Sequence, residues 1–177
     1  MIIHCTQKLA KKLSEVSPGP LTETSPLGSW TANLYTIDRR QCVLFCHDET
    51  RYVLFQPGLR KETFEELGAL HRPLFLDSLA AQGVAQAQLK NVALALGPVR
   101  FDSATDRSVL ASMNIARSDM DGALVRVANV MELDPIAVAL YLNHRPAKVR
   151  GAWLWPEKAM MERVSLLGER ENMMHES

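Results

Sequence analysis

W-T-A-N-L-Y-T-I-D-R-R-Q-C-V-L-F-C-H-D-E-T-R-Y-V-L-F-Q runs from Trp30 to Gln56, and its pattern decides the fold. Thr31–Asp38 alternates, with Ala32, Leu34 and Thr36 on one side and Asn33, Tyr35 and Ile37 on the other, which predicts a strand. Arg39-Arg40 is expected at a tight turn. Gln41–Cys46 is almost continuously apolar, as a central strand buried on both faces requires. His47-Asp48-Glu49-Thr50 has turn composition, Arg51–Phe55 returns as a third strand, and Pro57-Gly58 ends it. The expectation is a small antiparallel meander of three strands, to which Ile2–Cys5 adds a fourth.

Helices are predicted on either side of this ribbon. Thr6 can cap a helix over Gln7–Val16, with Leu9, Leu13 and Val16 on one stripe. Ser17–Gly28, which holds Pro18, Gly19, Pro20 and Pro26, is a loop. Lys61–Leu70 places Phe64, Leu67 and Leu70 together, and Pro73 is expected to interrupt before a second segment to Gln82. Ala85–Leu96 is a helix stopped by Gly97-Pro98, and Val99–Asp102 is an edge strand. Asp106 or Ser108 caps the longest helix, Arg107–Glu132. Gly122 inside it costs up to about 1 kcal/mol relative to Ala, a sign of close packing. Asp134-Pro135 starts a helix to Leu142, and Trp153, Trp155 and Pro156 lead into a last one over Glu157–Leu167. The class is therefore α+β: a small antiparallel sheet covered mainly on one face by helices, forming a single domain over residues 1–168 with a frayed polar tail at 169–177.

The 177 residues are 47% hydrophobic and 23% charged, an ordinary globular balance. Twenty Lys and Arg match twenty Asp and Glu, without the basic excess of a protein that coats nucleic acid. The balance is uneven along the chain. Residues 1–61 hold eight basic against five acidic side chains, and residues 62–106 hold three against six. An anion-binding surface should therefore draw first on the N-terminal third. Cys5, Cys42 and Cys46 are an odd set, which predicts reduced thiols in a cytoplasm. The charge order at the N-terminus is not that of a signal peptide, and no stretch has the 18 or so apolar residues of a membrane span.

Several stretches carry a resemblance. These are M-I-I-H-C-T-Q-K-L at the start, L-G-S-W-T-A-N-L at Leu27–Leu34, D-R-R-Q-C-V-L-F at Asp38–Phe45, D-E-T-R at Asp48–Arg51 and D-R-S-V-L-A-S-M-N at Asp106–Asn114. Together they resemble a family of small bacterial proteins known only as a domain of unknown function, whose members open with a similar I-I-H-C-T-K-K-L strand and helix. The resemblance implies a bacterial source and supplies no activity and no catalytic residues.

Four constellations could carry chemistry. Cys42 and Cys46, with His4, Cys5 and His47, suggest a metal. On a strand, however, four residues span about 13 Å, too far for thiolates sharing one zinc, so no metal and no cofactor is expected. His4, Cys5, His47 and Asp48 could form a Cys–His or His–Asp pair, although His4 and Cys5 must point to opposite faces. Arg39, Arg40 and Arg51, with Arg60, Lys61, Lys8, Lys11 and Lys12, could gather as an anion or RNA surface with Tyr35 and Tyr52 as stacking platforms. Finally, Asp106 and Ser108 could cap a helix at whose start Arg107, with Asn114 further along, would meet an anion. Trp30, Trp153 and Trp155 are core or, if exposed, a partner surface.

The leading expectation is a non-enzymatic binding or regulatory module for a protein or RNA partner, with a homodimer as a further option. Its contacts would be Arg39, Arg40, Arg51, Tyr52 and Lys8. The alternative is a small toxin-like or defence-related enzyme on RNA or a phosphorylated ligand. There Arg39, Arg40 and Arg107 would hold phosphate and His4 or His47 would act as general base.

Overall fold

The apolar run around Val43 becomes the middle of the molecule. In the computed structural model, which describes the backbone of residues 1–175 and side chains to Gly168, strand β3 (Arg40–His47) is buried from Cys42 to His47. It pairs antiparallel with β2 (Trp30–Ile37) and β4 (Val53–Gln56). The turn between β2 and β3 is Asp38-Arg39, both at positive φ, and Arg40 already opens β3 opposite Ile37. Two successive residues in that region match the twist of a two-residue hairpin.

The sheet has five strands and is mixed, which corrects the purely antiparallel expectation. Its order is β4-β3-β2-β1-β5, where β1 is Ile2–Cys5 and β5 is Arg100–Asp102, and β1 runs parallel to both neighbours. The cause is connection length. A two-residue turn can join only antiparallel strands, whereas residues 6–29 are long enough to cross over and return parallel.

Helices lie on both faces, not mainly on one. Alternation along β2 and β3 sends Trp30, Ala32, Leu34, Val43 and Phe45 into one core. Ile37, Cys42, Leu44 and Cys46 go into the other. The first core is closed by α3 (Leu67–Ala81), α4 (Gln86–Leu96) and α8 (Pro156–His175), with Phe75, Leu79, Val92 and Met160 fully buried. The second lies under α5 (Arg107–Asp119), which contributes Val109, Met113 and Ala116. Helix α7 (Pro135–Asn143), capped by Asp134 on the Ile136 N–H, serves both cores. Its Asn143 gives β4 an edge by exchanging hydrogen bonds with the Val53 backbone at 2.7 and 2.8 Å.

Three helix lengths differ from expectation. Helix α1 stops after one turn (Gln7–Ala10), because the chain leaves it to bond Ser17 N–H to the Phe101 carbonyl on the β5 edge. Pro73 does not interrupt. The break falls at Glu66, between α2 (Lys61–Glu65) and α3, and Pro73 is carried inside α3 on its exposed side, where water can reach the freed carbonyl of Ala69. The long helix from Arg107 ends at Asp119. After α6 (Asp121–Leu124) the chain is drawn back to the β2–β3 turn, where Val130 N–H donates to Asp38 Oδ2 at 2.7 Å. Close packing at Gly122 is present: a Cβ there would lie 2.8 Å from the Tyr141 hydroxyl oxygen.

A second, two-stranded sheet is new: β6 (Ala147–Val149) and β7 (Ala152–Leu154), turned at Arg150-Gly151 with both φ positive. The expected tail at 169–177 overlaps the end of α8; its side chains, and Glu176 and Ser177 altogether, lie outside the described residues. Among the described residues no helix is long and apolar enough to cross a membrane.

Candidate functional site

The predicted arginine cluster divides between the two ends of β3. Eight residues at about 3.3 Å each separate the Arg39 turn from the Arg51 turn by roughly 26 Å, because an antiparallel strand carries its two turns to opposite ends. Arg51 is therefore not part of a surface with Arg39 and Arg40. It is buried: its Nη2 donates to Ser108 Oγ at 2.8 Å and its Nε to Ser112 Oγ at 3.0 Å, both on α5. Tyr52 is not a stacking platform either, since it is fully buried with its hydroxyl on Ser78. Tyr35 is half-buried and donates to Asn114 Oδ1 at 3.0 Å.

The remaining cations do meet. Strands β1, β2 and β4 all point their C-terminal ends toward the Arg39 turn. This brings the residues after β1 and the start of α2 together there, and Leu59 N–H bonds to the Gln41 carbonyl. A pocket of about 450 Å³ opens between them, walled by Lys11, Lys12, Gln41, Lys61 and Phe64. Among the described residues no carboxylate lines it. Lys8, Arg39, Arg40 and Arg60 are exposed on the segments that form this end. Among the described residues none of these seven cations forms an ion pair, although Glu62 and Glu65 are exposed on α2 nearby in sequence.

At the other end, the pairing of β1 with β5 creates what the sequence did not disclose. Register sets His4 beside Asp102 and Thr31. His4 Nδ1 lies 2.5 Å from Asp102 Oδ1, and its Nε2 lies 3.5 Å from Asp48 Oδ2. Asp102 is fully buried. Burial pushes its carboxyl up, but the N–H groups of Leu21 and Ala104 and the His4 ring outweigh this and hold it below the usual carboxylate range. Asp48 goes the other way: burial raises it despite the Thr31 hydroxyl at 2.7 Å. His4, about one-seventh exposed, thus stands between two carboxylates, anchored on Nδ1 by Asp102 and turning Nε2 toward Asp48.

His47 cannot share that work. It is fully buried, its Nε2 bonds the Leu27 carbonyl at 2.6 Å, and its Nδ1 accepts from the Thr50 N–H and hydroxyl. Burial lowers it to about 4, so it is a neutral structural ring and the expectation of a base there is corrected. Cys5 faces the opposite core from His4, and burial pushes its thiol and that of Cys46 up to about 12, which removes the thiolate a nucleophile needs. Cys42 and Cys46 are buried on one face of β3. Asp106 caps α5, accepting from Ser108 and Val109, while Arg107 beside it is exposed. Asn114 is engaged by Tyr35, and Ser108 serves Arg51, so neither waits for an anion beside Arg107.

Of the three tryptophans, Trp30 is core, with its ring centroid 5.2 Å from His47 and 4.5 Å from His71. Trp153 and Trp155 are not: they are 61% and 46% exposed, on and just after β7. The Lys148 ammonium lies 5.8 Å from the Trp153 ring centre and that of Lys158 5.7 Å from Trp155. The Arg150-Gly151 pair between alternating A-K-V and A-W-L was the available signal for this hairpin.

A family model described as "Domain of unknown function (DUF6933)" matches residues 2–159. That is most of the chain, and the chain belongs to this family. No curated protein matches it.

Proposed function

We propose that the protein is a binding module for an anionic partner, and that phosphate of a nucleic acid is the group met at the basic end of the sheet. The observation that carries this reading is the pocket walled by Lys11, Lys12 and Lys61 with no carboxylate among the described residues that line it. Three ammonium groups around one hollow repel one another, and a bound polyanion turns that repulsion into attraction. Arg39, Arg40, Arg60 and Lys8 extend the surface, and guanidinium forks suit phosphate oxygens. Three buried free thiols fit a reducing bacterial cytoplasm as the setting.

The test is binding of a duplex DNA across a salt series. Each phosphate neutralised contributes about 0.9 to the slope of log affinity against log salt. The combined Lys11→Ala, Lys12→Ala, Lys61→Ala variant should bind more weakly and flatten that slope by about 2 to 3. A wild-type protein with no affinity for duplex, or a variant with the same slope, would end this reading.

A second reading rests on the His4–Asp102 contact. A ring oriented by a buried carboxylate is the arrangement of a general base, so an enzyme on RNA or a phosphorylated ligand would act through His4, with Asp102 positioning it. If His4→Gln and Asp102→Asn each leave the cellular phenotype unchanged, this alternative is lost.

A further inference from the structure

The hairpin β6–β7 leaves much of its side-chain surface in solvent. Along it Lys148, Arg150, Ala152 and Trp153 are exposed, and only Ala147, Val149 and Leu154 are half-buried. A large aromatic side chain left in water forfeits most of what its burial would contribute, and here two stand two residues apart. On extended backbone that spacing is about 6.6 Å, which suits successive nucleotides of an extended strand better than the stacked bases of a duplex. The local charge is one-sided. Between His144 and Lys158 there are Arg145, Lys148, Arg150 and Lys158 against Glu157 alone. Glu157 is already turned to His144 at 3.3 Å, and Arg145 to Asp119 at 3.5 Å. Lys148, Arg150 and Lys158 form no ion pair among the described residues. Tyr141, also exposed, has the Arg145 guanidinium 5.4 Å from its ring centre.

We infer that the Trp153–Trp155 hairpin is a stacking platform for unpaired bases, so that the partner it selects is a single-stranded nucleic acid. Indole faces accept any base, and the neighbouring ammonium and guanidinium groups reach the phosphates between them. An acidic protein surface would meet the same cations, so competition by poly-glutamate is what separates it from a stacked strand. The inference shares its class of partner with the polyanion reading but none of its residues.

Trp30 makes the test clean, because it is the third tryptophan and lies in the core. Its emission reports folding when the other two are removed. Titration with a 12-residue oligo(U) should quench the exposed tryptophans of the wild-type chain. The Trp153→Ala, Trp155→Ala variant should bind that oligonucleotide at least about tenfold more weakly. Its affinity for duplex DNA and its Trp30 emission should not change, and Trp153→Phe, Trp155→Phe should restore most of the loss. The Lys11, Lys12, Lys61 variant should weaken duplex and single strand alike. Equal oligo(U) binding by the alanine variant, or displacement of oligo(U) by poly-glutamate as readily as by itself, overturns the inference and leaves the basic pocket standing. Loss of oligo(U) binding in the tryptophan variant, with no effect of the lysine variant on either ligand, does the reverse.

Discussion

The two ends of the central strand carry the same residue type to opposite fates. At one, Arg39 and Arg40 stand in solvent, Arg39 within the two-residue turn and Arg40 opening β3 beside it. At the other, Arg51 is buried with its guanidinium held by Ser108 and Ser112. Arg39 and Arg51 share even the positive φ, at 61° and 59°. What separates them is what is laid beside each: α5 brings Ser108 and Ser112 to Arg51, whereas Val130 reaches only Asp38 at the other turn and leaves Arg39 and Arg40 exposed. A cation in a turn is thus a binding group or a structural one according to whether an element from elsewhere in the chain supplies it with oxygens. The closed end also gathers the titratable groups His47, Asp102 and Asp48, whereas the cations of the open end form no ion pair among the described residues.

The contrast can be broken most severely by acid. His47 and His71 are neutral when folded, lowered by burial to about 4 and about 3, and among the described residues His71 has no hydrogen-bond partner on either nitrogen. The unfolded chain takes up these protons as pH falls through about 6.5, and the folded chain does not. Stability is therefore complete above that pH and drops by about 1.4 kcal/mol per pH unit for each ring below it. For His47 the total is about 3 kcal/mol by pH 4. Urea midpoints at pH 7 and pH 4.5 measure this, and His71→Leu should reduce the difference. Equal midpoints would mean that the rings are not held neutral.

Next in size is Asp102→Ala. It unties Leu21, Ala104 and His4 at once and should cost about 3 kcal/mol, read as a lower unfolding midpoint at pH 7. Arg51→Met keeps the stem and loses the two serine contacts, for a loss of about 2 kcal/mol. At the open end, Arg39→Ala with Arg40→Ala should change stability by less than about 0.5 kcal/mol, yet weaken duplex binding. If the Arg51 and Arg39 variants were equally stable, the distinction between the two ends would fail.

The ribbon from Trp30 to Gln56 was legible because period-two alternation survives in any context, and both hairpin faces follow it. The partners of β1 were not: His4 and Asp102 are 98 residues apart, and nothing in V-R-F-D announces that its carboxylate is buried. Arg51 was misplaced because D-E-T-R reads as a solvated turn until α5 is laid over it. The basic end was half legible. Charge counting pointed to the N-terminal third, and the meeting of Lys11, Lys12 and Lys61 needed the crossover that makes β1 parallel to β2. Trp153 and Trp155 fit core or surface equally well in the sequence, a choice that apolar content cannot make.

Placing the first strand in the interior of the sheet has a cost in time. During translation Ile2–Cys5 emerges before both of its partners: one of its edges stays bare until Trp30–Ala32 follows and the other until Arg100–Asp102 does. The nascent chain must carry an apolar, half-paired segment through the synthesis of the 97 residues from Thr6 to Asp102. A chaperone or the ribosome surface has that interval in which to act, and a stall before residue 102 would leave the segment open to the wrong neighbour.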